Sequence, residues 1–507
     1  MKKSILWPVF ALYVLVSGYT ISQHELWGDE VHSWNISKGS GSYSELIANR
    51  RYEGHPPGWY TILWSISRFT HKTGYMQVAQ WVIACGVIFL ILFYSPFPPI
   101  TRILLPFGYY MLYEYAVFSR NYAIGVLLVC CICLIIRKEF RYQPILYYIL
   151  LFCLSNTHLL ALLLAGSLHL YYLLQVREQK KSTGTLLLHI MAGGLIFLPA
   201  LYFIFPPSNS ALNTHYWVNR WNIHQLTASV EGPIRSMLPV PAWWKYNFWN
   251  TQFLIEAKKD YYFLKVFNLL VAIFLVALGF FILRANKKCL ALFGANLLLS
   301  AMLSVAAFPL TSARYAGFIF IGFIAAYWLY CDEALVTQYN NQVIPDRRFS
   351  RGNRLVNILL GIHFLAGLFA VIRDIRLPFS NLYRVNELVR EVPPGERMVT
   401  DYWTANCVVA FTDKPAWCID MQKEISFVLW NPDILALMNN PQRYTTGLQQ
   451  LFQKEGLRTV YMISLGSPQT LPRADPQMEK TFHVHLVDKL EGAIEKGSNL
   501  YLYRITE

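Results

Sequence analysis

The sequence predicts a polytopic α-helical membrane protein with a small α/β domain at its C-terminus, and three observations make that prediction. Of 507 residues, 55% are hydrophobic and only 15% are charged, against about 25% charged in an ordinary soluble domain. Apolar runs of roughly 17–25 residues, the length that crosses a hydrocarbon core as helix, recur from the N-terminus to Ile372. After Arg373 the composition changes to that of a water-facing domain. The net charge of +14 does not indicate nucleic acid, because Lys and Arg gather in short loops between apolar runs, where the positive-inside tendency accounts for them.

The first run, Ile5 to Ile21, follows Lys2 and Lys3 and has no small-residue cleavage site before His24 and Glu25, so it reads as an uncleaved span. With 5–21 as the first, the others fall at 77–95, 101–117, 121–136, 144–156, 158–175, 184–205, 261–283, 288–308, 314–331 and 354–372, about eleven in all. The apolar stretch from Pro57 to Phe69 opens on a Pro-Pro pair and is too short to cross, so it reads as an interfacial helix. Charge supports this. With a cytoplasmic N-terminus, the loops carrying Arg137/Lys138/Arg141, Arg177/Lys180/Lys181, Arg284/Lys287/Lys288 and Arg347/Arg348/Arg351/Arg354 then all lie inside; were Pro57 to Phe69 a span, all would lie outside.

The expected organisation is a membrane domain over residues 1–375 and a periplasmic α/β domain over 376–507, in a bacterial inner membrane. Outer loops 22–76 and 206–260 carry interfacial helices, the second with the Trp and Tyr of an aromatic belt. In the C-terminal domain, strands are predicted at Arg397 to Thr400, Cys407 to Phe411, Thr459 to Ser464, Phe482 to Val487 and Leu500 to Ile505. Helices are predicted near Leu382 to Glu391 and Gly447 to Glu455. The other cysteines sit in or beside apolar runs as small hydrophobes, while Cys407 and Cys418 are free to form a disulfide or not in an oxidising compartment.

Chemistry concentrates at outer helix ends. Trp27-Gly28-Asp29-Glu30-Val31-His32 places paired carboxylates just beyond the first span, where an apolar setting raises a carboxyl toward general-base range. In Glu53-Gly54-His55-Pro56-Pro57-Gly58-Trp59-Tyr60 two prolines fix the backbone directly after a histidine; a plain helix start explains the prolines equally well. Arg120, in Ser119-Arg120-Asn121-Tyr122, and Arg314, in Arg314-Tyr315, lie at membrane depth on the side that positive-inside anchors avoid. They either meet an anion such as phosphate or snorkel to headgroups. Asn156-Thr157-His158 adds a polar cluster that capping alone would also explain.

These motifs, taken in order over roughly residues 1–330, resemble the GT-C membrane glycosyltransferases, in the branch of the protein O-mannosyltransferases and the lipid A aminoarabinose transferase. The resemblance implies an inverting transfer of a sugar from a polyprenyl-phosphate donor to a lipid, glycan or protein acceptor. It implies Asp29 as the catalytic carboxylate with Glu30 its companion, Arg120, Arg314, His55 and Tyr315 around the donor phosphate, and Glu53, Tyr122 and His158 as further site residues. Some relatives hold a divalent cation through an acid near the position of Gly54, which makes Glu53 and His55 the metal candidates here. The rivals are a transporter or flippase of a lipid-linked or anionic substrate, which would show a repeated half and mid-membrane charges, and a scaffold, which would leave the Asp29 and His55 motifs unexplained.

Overall fold

A lipid solvent leaves the backbone no partner but itself, so apolar runs become helices. The computed structural model describes residues 3–138, 140–180, 182–211, 223–257, 261, 263–306, 309–341 and 347–507. Among these, eight helices are long and apolar enough to cross a membrane: Ser4–Gln23, Gly74–Tyr94, Leu159–Glu178, Thr183–Ile204, Phe263–Leu283, Lys287–Ala306, Ala313–Leu335 and Phe349–Arg376. Tyr122–Ile135 and Gln143–Ser155 are shorter apolar helices at two more of the predicted spans. Trp7, Leu15, Leu188, Leu195 and Phe274 are exposed on helix faces, as lipid-facing residues must be. Part of the expected outer loop 206–260, residues 212–222 and 258–260, lies outside the described residues.

The span predicted at 101–117 is not one helix. It runs as a short helix Pro99–Leu104, a 3-10 turn Leu105–Phe107 and a π-helical turn Tyr110–Glu114. Pro106 cannot donate to a helical ladder, and Gly108 adopts extended ψ of 157°, so the helix breaks between them. Irregular backbone is tolerable at this depth only when protein surrounds it, and every residue from Leu105 to Ala123 is buried. At one end Thr101 donates to Asn353 and Asn357 near the start of the last helix; at the other, the Ser119 amide donates to Glu30 Oε1 at 2.5 Å. The segment therefore joins opposite ends of the helical bundle.

Beyond Arg376, six strands form one sheet: β1 (Arg397–Thr400), β2 (Ala416–Cys418), β3 (Lys423–Ile425), β4 (Thr459–Ser464), β5 (His483–Leu490) and β6 (Leu500–Thr506), in the order β3-β2-β1-β4-β6-β5. β1 lies parallel to β2 and β4, and the remaining pairs are antiparallel. Helix Arg443–Glu455 and the turn and helix from Leu382 to Glu391 fall where the sequence placed them. The predicted strand Cys407 to Phe411 is instead part of helix Ala405–Thr412. A five-residue apolar run fits either structure, and here it is buried on nearly all sides, between the sheet and helix Gly28–Gly39. Cys407 and Cys418 are buried free thiols.

The sheet domain shares a core with the segment between the first two membrane-length helices. Trp34, Leu46, Trp59 and Leu63 pack in one cluster with Tyr402, Val408 and Ile463. Asn35 Nδ2 donates to the Asn406 carbonyl at 2.8 Å, and Lys38 Nζ to Asp413 Oδ1 at 2.8 Å.

Candidate active site

Helix Gly28–Gly39 begins where Glu30 caps it: Glu30 Oε2 accepts the Trp27 amide at 3.1 Å and Oε1 accepts Ser119 N. Behind Glu30 lies His24, whose Nδ1 stands 3.0 Å from Asp374 Oδ2 and whose Nε2 stands 3.5 Å from Glu30 Oε2. Tyr113 donates to the same Asp374 oxygen at 2.8 Å. Burial disfavours the imidazolium, but the Asp374 and Glu30 carboxylates outweigh it and push the His24 pKa up to about 10. This buried network fixes the first helix, the last helix and the start of Gly28–Gly39 against one another.

One residue before Glu30, Asp29 points the other way, onto a cavity of about 230 Å³. The cavity is lined by Asp29, His32, Glu53, Gly54, His55, Tyr60, Arg120, Tyr122, His158, Leu159, Leu160, Arg314, Tyr315 and Trp430. Asp29 keeps 42% of its side chain accessible there, with Oδ2 at 3.2 Å from Arg314 Nη2. Burial would raise its pKa, but Arg314 and then Arg120 outweigh burial and hold it below the usual carboxylate range. Arg120 donates to the Asp29 carbonyl at 2.5 Å and to Ser33 Oγ, and its Nε has no hydrogen-bond partner among the described residues. Arg314 is held flat by aromatic faces, 4.7 Å from the Trp27 ring centroid and 4.9 Å from that of Tyr315, and also donates to Tyr315 Oη at 3.1 Å.

The proline motif docks on the polar cluster. Gly58 N donates to the Asn156 carbonyl at 3.1 Å, and Asn121 Nδ2 donates to the Thr157 carbonyl at 3.2 Å. His158 Nδ1 accepts the Ala161 amide at 3.3 Å and caps helix Leu159–Glu178. Burial, then the positive field of Arg120 and Arg50, pushes the His55 pKa well down, so His55 is neutral. His32 Nε2 stands 2.7 Å from Glu53 Oε2, and Glu53 Oε1 accepts the Trp430 amide of the sheet domain at 3.3 Å.

The structure thus gathers Asp29, Glu53, His55, Arg120, Tyr122, His158, Arg314 and Tyr315 on one wall-to-wall cavity. It does not bring Glu30 there: Glu30 is fully buried and spends its oxygens on backbone amides. Three nearby residues escaped the sequence reading. His32 was detectable, since it lies three positions after Asp29 and so on the same helix face. Arg50, fully buried with its ring-stacked guanidinium 4.0 Å over Tyr60, and Trp430, from the distant domain, carried no local signal. As for a metal, no three His, Cys, Asp or Glu side chains gather as a ligand set among the described residues. Of the two candidates, Glu53 is engaged by His32 and by the Trp430 amide.

No protein-family model matches the chain, and no curated protein matches it. Among solved structures it is similar to the crystal structure of ArnT from Cupriavidus metallidurans in the apo state, at 11% identity and a TM-score of 0.56, over 99% of this chain and 98% of that one. This chain therefore has the GT-C fold of ArnT, a multi-pass helical membrane body followed by a small sheet domain.

Proposed function

We propose that the protein is an inverting membrane glycosyltransferase that moves a sugar from a polyprenyl-phosphate carrier to a lipid, glycan or protein acceptor. One observation carries the reading: an ionised carboxylate, Asp29, faces a cavity at the membrane edge in contact with Arg314 and beside Arg120. The GT-C fold supports it. The acceptor oxygen attacks the anomeric carbon opposite the phosphate, and the breaking carbon–oxygen bond leaves its electron pair on the phosphate. Arg120 and Arg314 neutralise that growing charge, for which a guanidinium fork is suited. Asp29 orients the acceptor and faces the positive charge that develops on the sugar ring. Its lowered pKa keeps it charged at neutral pH.

We place the cavity on the periplasmic side of a bacterial inner membrane because the basic loops near Arg137, Arg177 and Arg284 lie at the opposite helix ends. The test compares glycolipids and glycoproteins of a deletion strain with those of wild type by mass spectrometry, which should show one missing sugar. Complementation with Asp29→Asn should not restore it, while the purified variant should still bind undecaprenyl phosphate. An unchanged glycan profile in the deletion strain, or full rescue by the variant, would overturn the reading.

A further inference from the structure

Asp29 is a weak base as placed: the Arg314 guanidinium stands 3.2 Å from its Oδ2 and, with Arg120, outweighs burial and holds the carboxyl below the usual range. A transfer to a hydroxyl still needs somewhere for the proton to go. On the same face of helix Gly28–Gly39 stands His32, also lining the cavity. Glu53 sets its tautomer: a carboxylate only accepts, so the ring hydrogen lies on Nε2, donated to Glu53 Oε2 at 2.7 Å, and Nδ1 carries the lone pair. Asn406 Nδ2 of the sheet domain stands 3.4 Å from Nδ1. The contact at Nδ1 is longer than an ordinary hydrogen bond of about 2.9–3.0 Å and is the weaker of the two the ring makes.

Resting on the transfer reading above, we propose that the Glu53–His32 pair is the general base of this site: His32 Nδ1 takes the acceptor proton while Asp29 orients the acceptor. As the acceptor oxygen bonds to the anomeric carbon and the phosphate leaves with its electron pair, the hydroxyl proton passes to Nδ1. The imidazolium so formed is stabilised by Glu53 and sheds its proton to water as product departs. The charged and titratable groups lining the cavity with His32 are Asp29 on its own helix, Glu53, His55 and Tyr60 on the following segment, and Arg120, Tyr122, His158, Arg314 and Tyr315. Of these, Glu53 alone makes a hydrogen bond to the ring.

The test uses the full-length protein in lipid nanodiscs with the donor and acceptor that the deletion-strain comparison identifies, following release of polyprenyl phosphate. His32→Asn should lower kcat by about 10²–10⁴-fold while leaving donor KM and undecaprenyl phosphate binding unchanged. Glu53→Gln should lower kcat in the same direction, again with donor KM and undecaprenyl phosphate binding unchanged. The assignment is overturned if His32→Asn keeps kcat within about twofold, if it loses undecaprenyl phosphate binding together with kcat, or if Glu53→Gln leaves kcat as in the wild type. A wild type that releases no polyprenyl phosphate sinks the transfer reading itself; an active wild type beside an equally active His32→Asn sinks only the base.

Discussion

A methyl group added at Gly58 would sit 2.7 Å from the carbonyl oxygen of Asn156, which is backbone and cannot swing aside. Gly58→Ala should therefore loosen the docking of the proline motif, at a cost of about 1–3 kcal/mol. The check is thermal unfolding in detergent, with Gly74→Ala as the comparison, since nothing lies within 4 Å of a Cβ at Gly74. Arg314 makes a second case. Arg314→Lys keeps the charge but loses the planar fork and the stacking on Trp27 and Tyr315. It should weaken undecaprenyl phosphate binding by about tenfold or more in a direct binding assay, as a bidentate site reduced to a point charge. At this scale the sequence singled out polar residues at helix ends, Asp29, His55, Arg120 and Arg314, which the fold gathers on one cavity. It could not separate Asp29 from Glu30, because which of two neighbours faces a cavity depends on helix rotation, and that is set by packing against Ser119 and His24.

Whole elements were legible through length and hydropathy. Helices such as Gly74–Tyr94 and Phe263–Leu283 coincide with predicted spans because lipid leaves a long apolar run no other structure. The segment near Pro106 broke that rule, since protein rather than lipid surrounds it. Helix junctions also carry a pH dependence. His24 titrates from an ordinary 6.5 up to about 10 in the fold, so its contribution to stability is complete below 6.5 and lost as pH rises through about 10. The melting temperature of the wild type should fall as pH climbs from neutral toward 10, and His24→Asn should flatten that slope. A wild-type melting temperature that stays level over this range would show that the His24–Asp374 contact does not clamp the first and last helices.

At the scale of the whole molecule, the sheet domain completes the cavity by sending in Trp430, whose carbonyl also accepts the Ala211 amide at 3.2 Å and whose ring lies 4.6 Å from Trp403. No local pattern announces such a contact, because Trp430 and Glu53 are brought together only by the tertiary fold. Trp430→Ala, which removes a ring from the lining contributed by the sheet domain, should raise acceptor KM more than donor KM in the transfer assay if the proposed reaction holds. Sidedness has its own check. A cysteine placed at exposed Ser42 should react with a membrane-impermeant thiol reagent in intact spheroplasts, and one at Lys138 only after lysis, with Cys153 replaced because it is already exposed.

The interrupted crossing between Pro99 and Ser119 has a consequence for how the chain is built. Its broken helix, four tyrosines and Glu114 give it little reason to leave a translocation channel for bare lipid. It settles only once later segments, including the closing helix that receives Thr101, have arrived to enclose it. Biogenesis of this protein is thus ordered from both ends of the polypeptide, and ribosome-stalled chains ending shortly after Ile135 should leave this stretch open to protease.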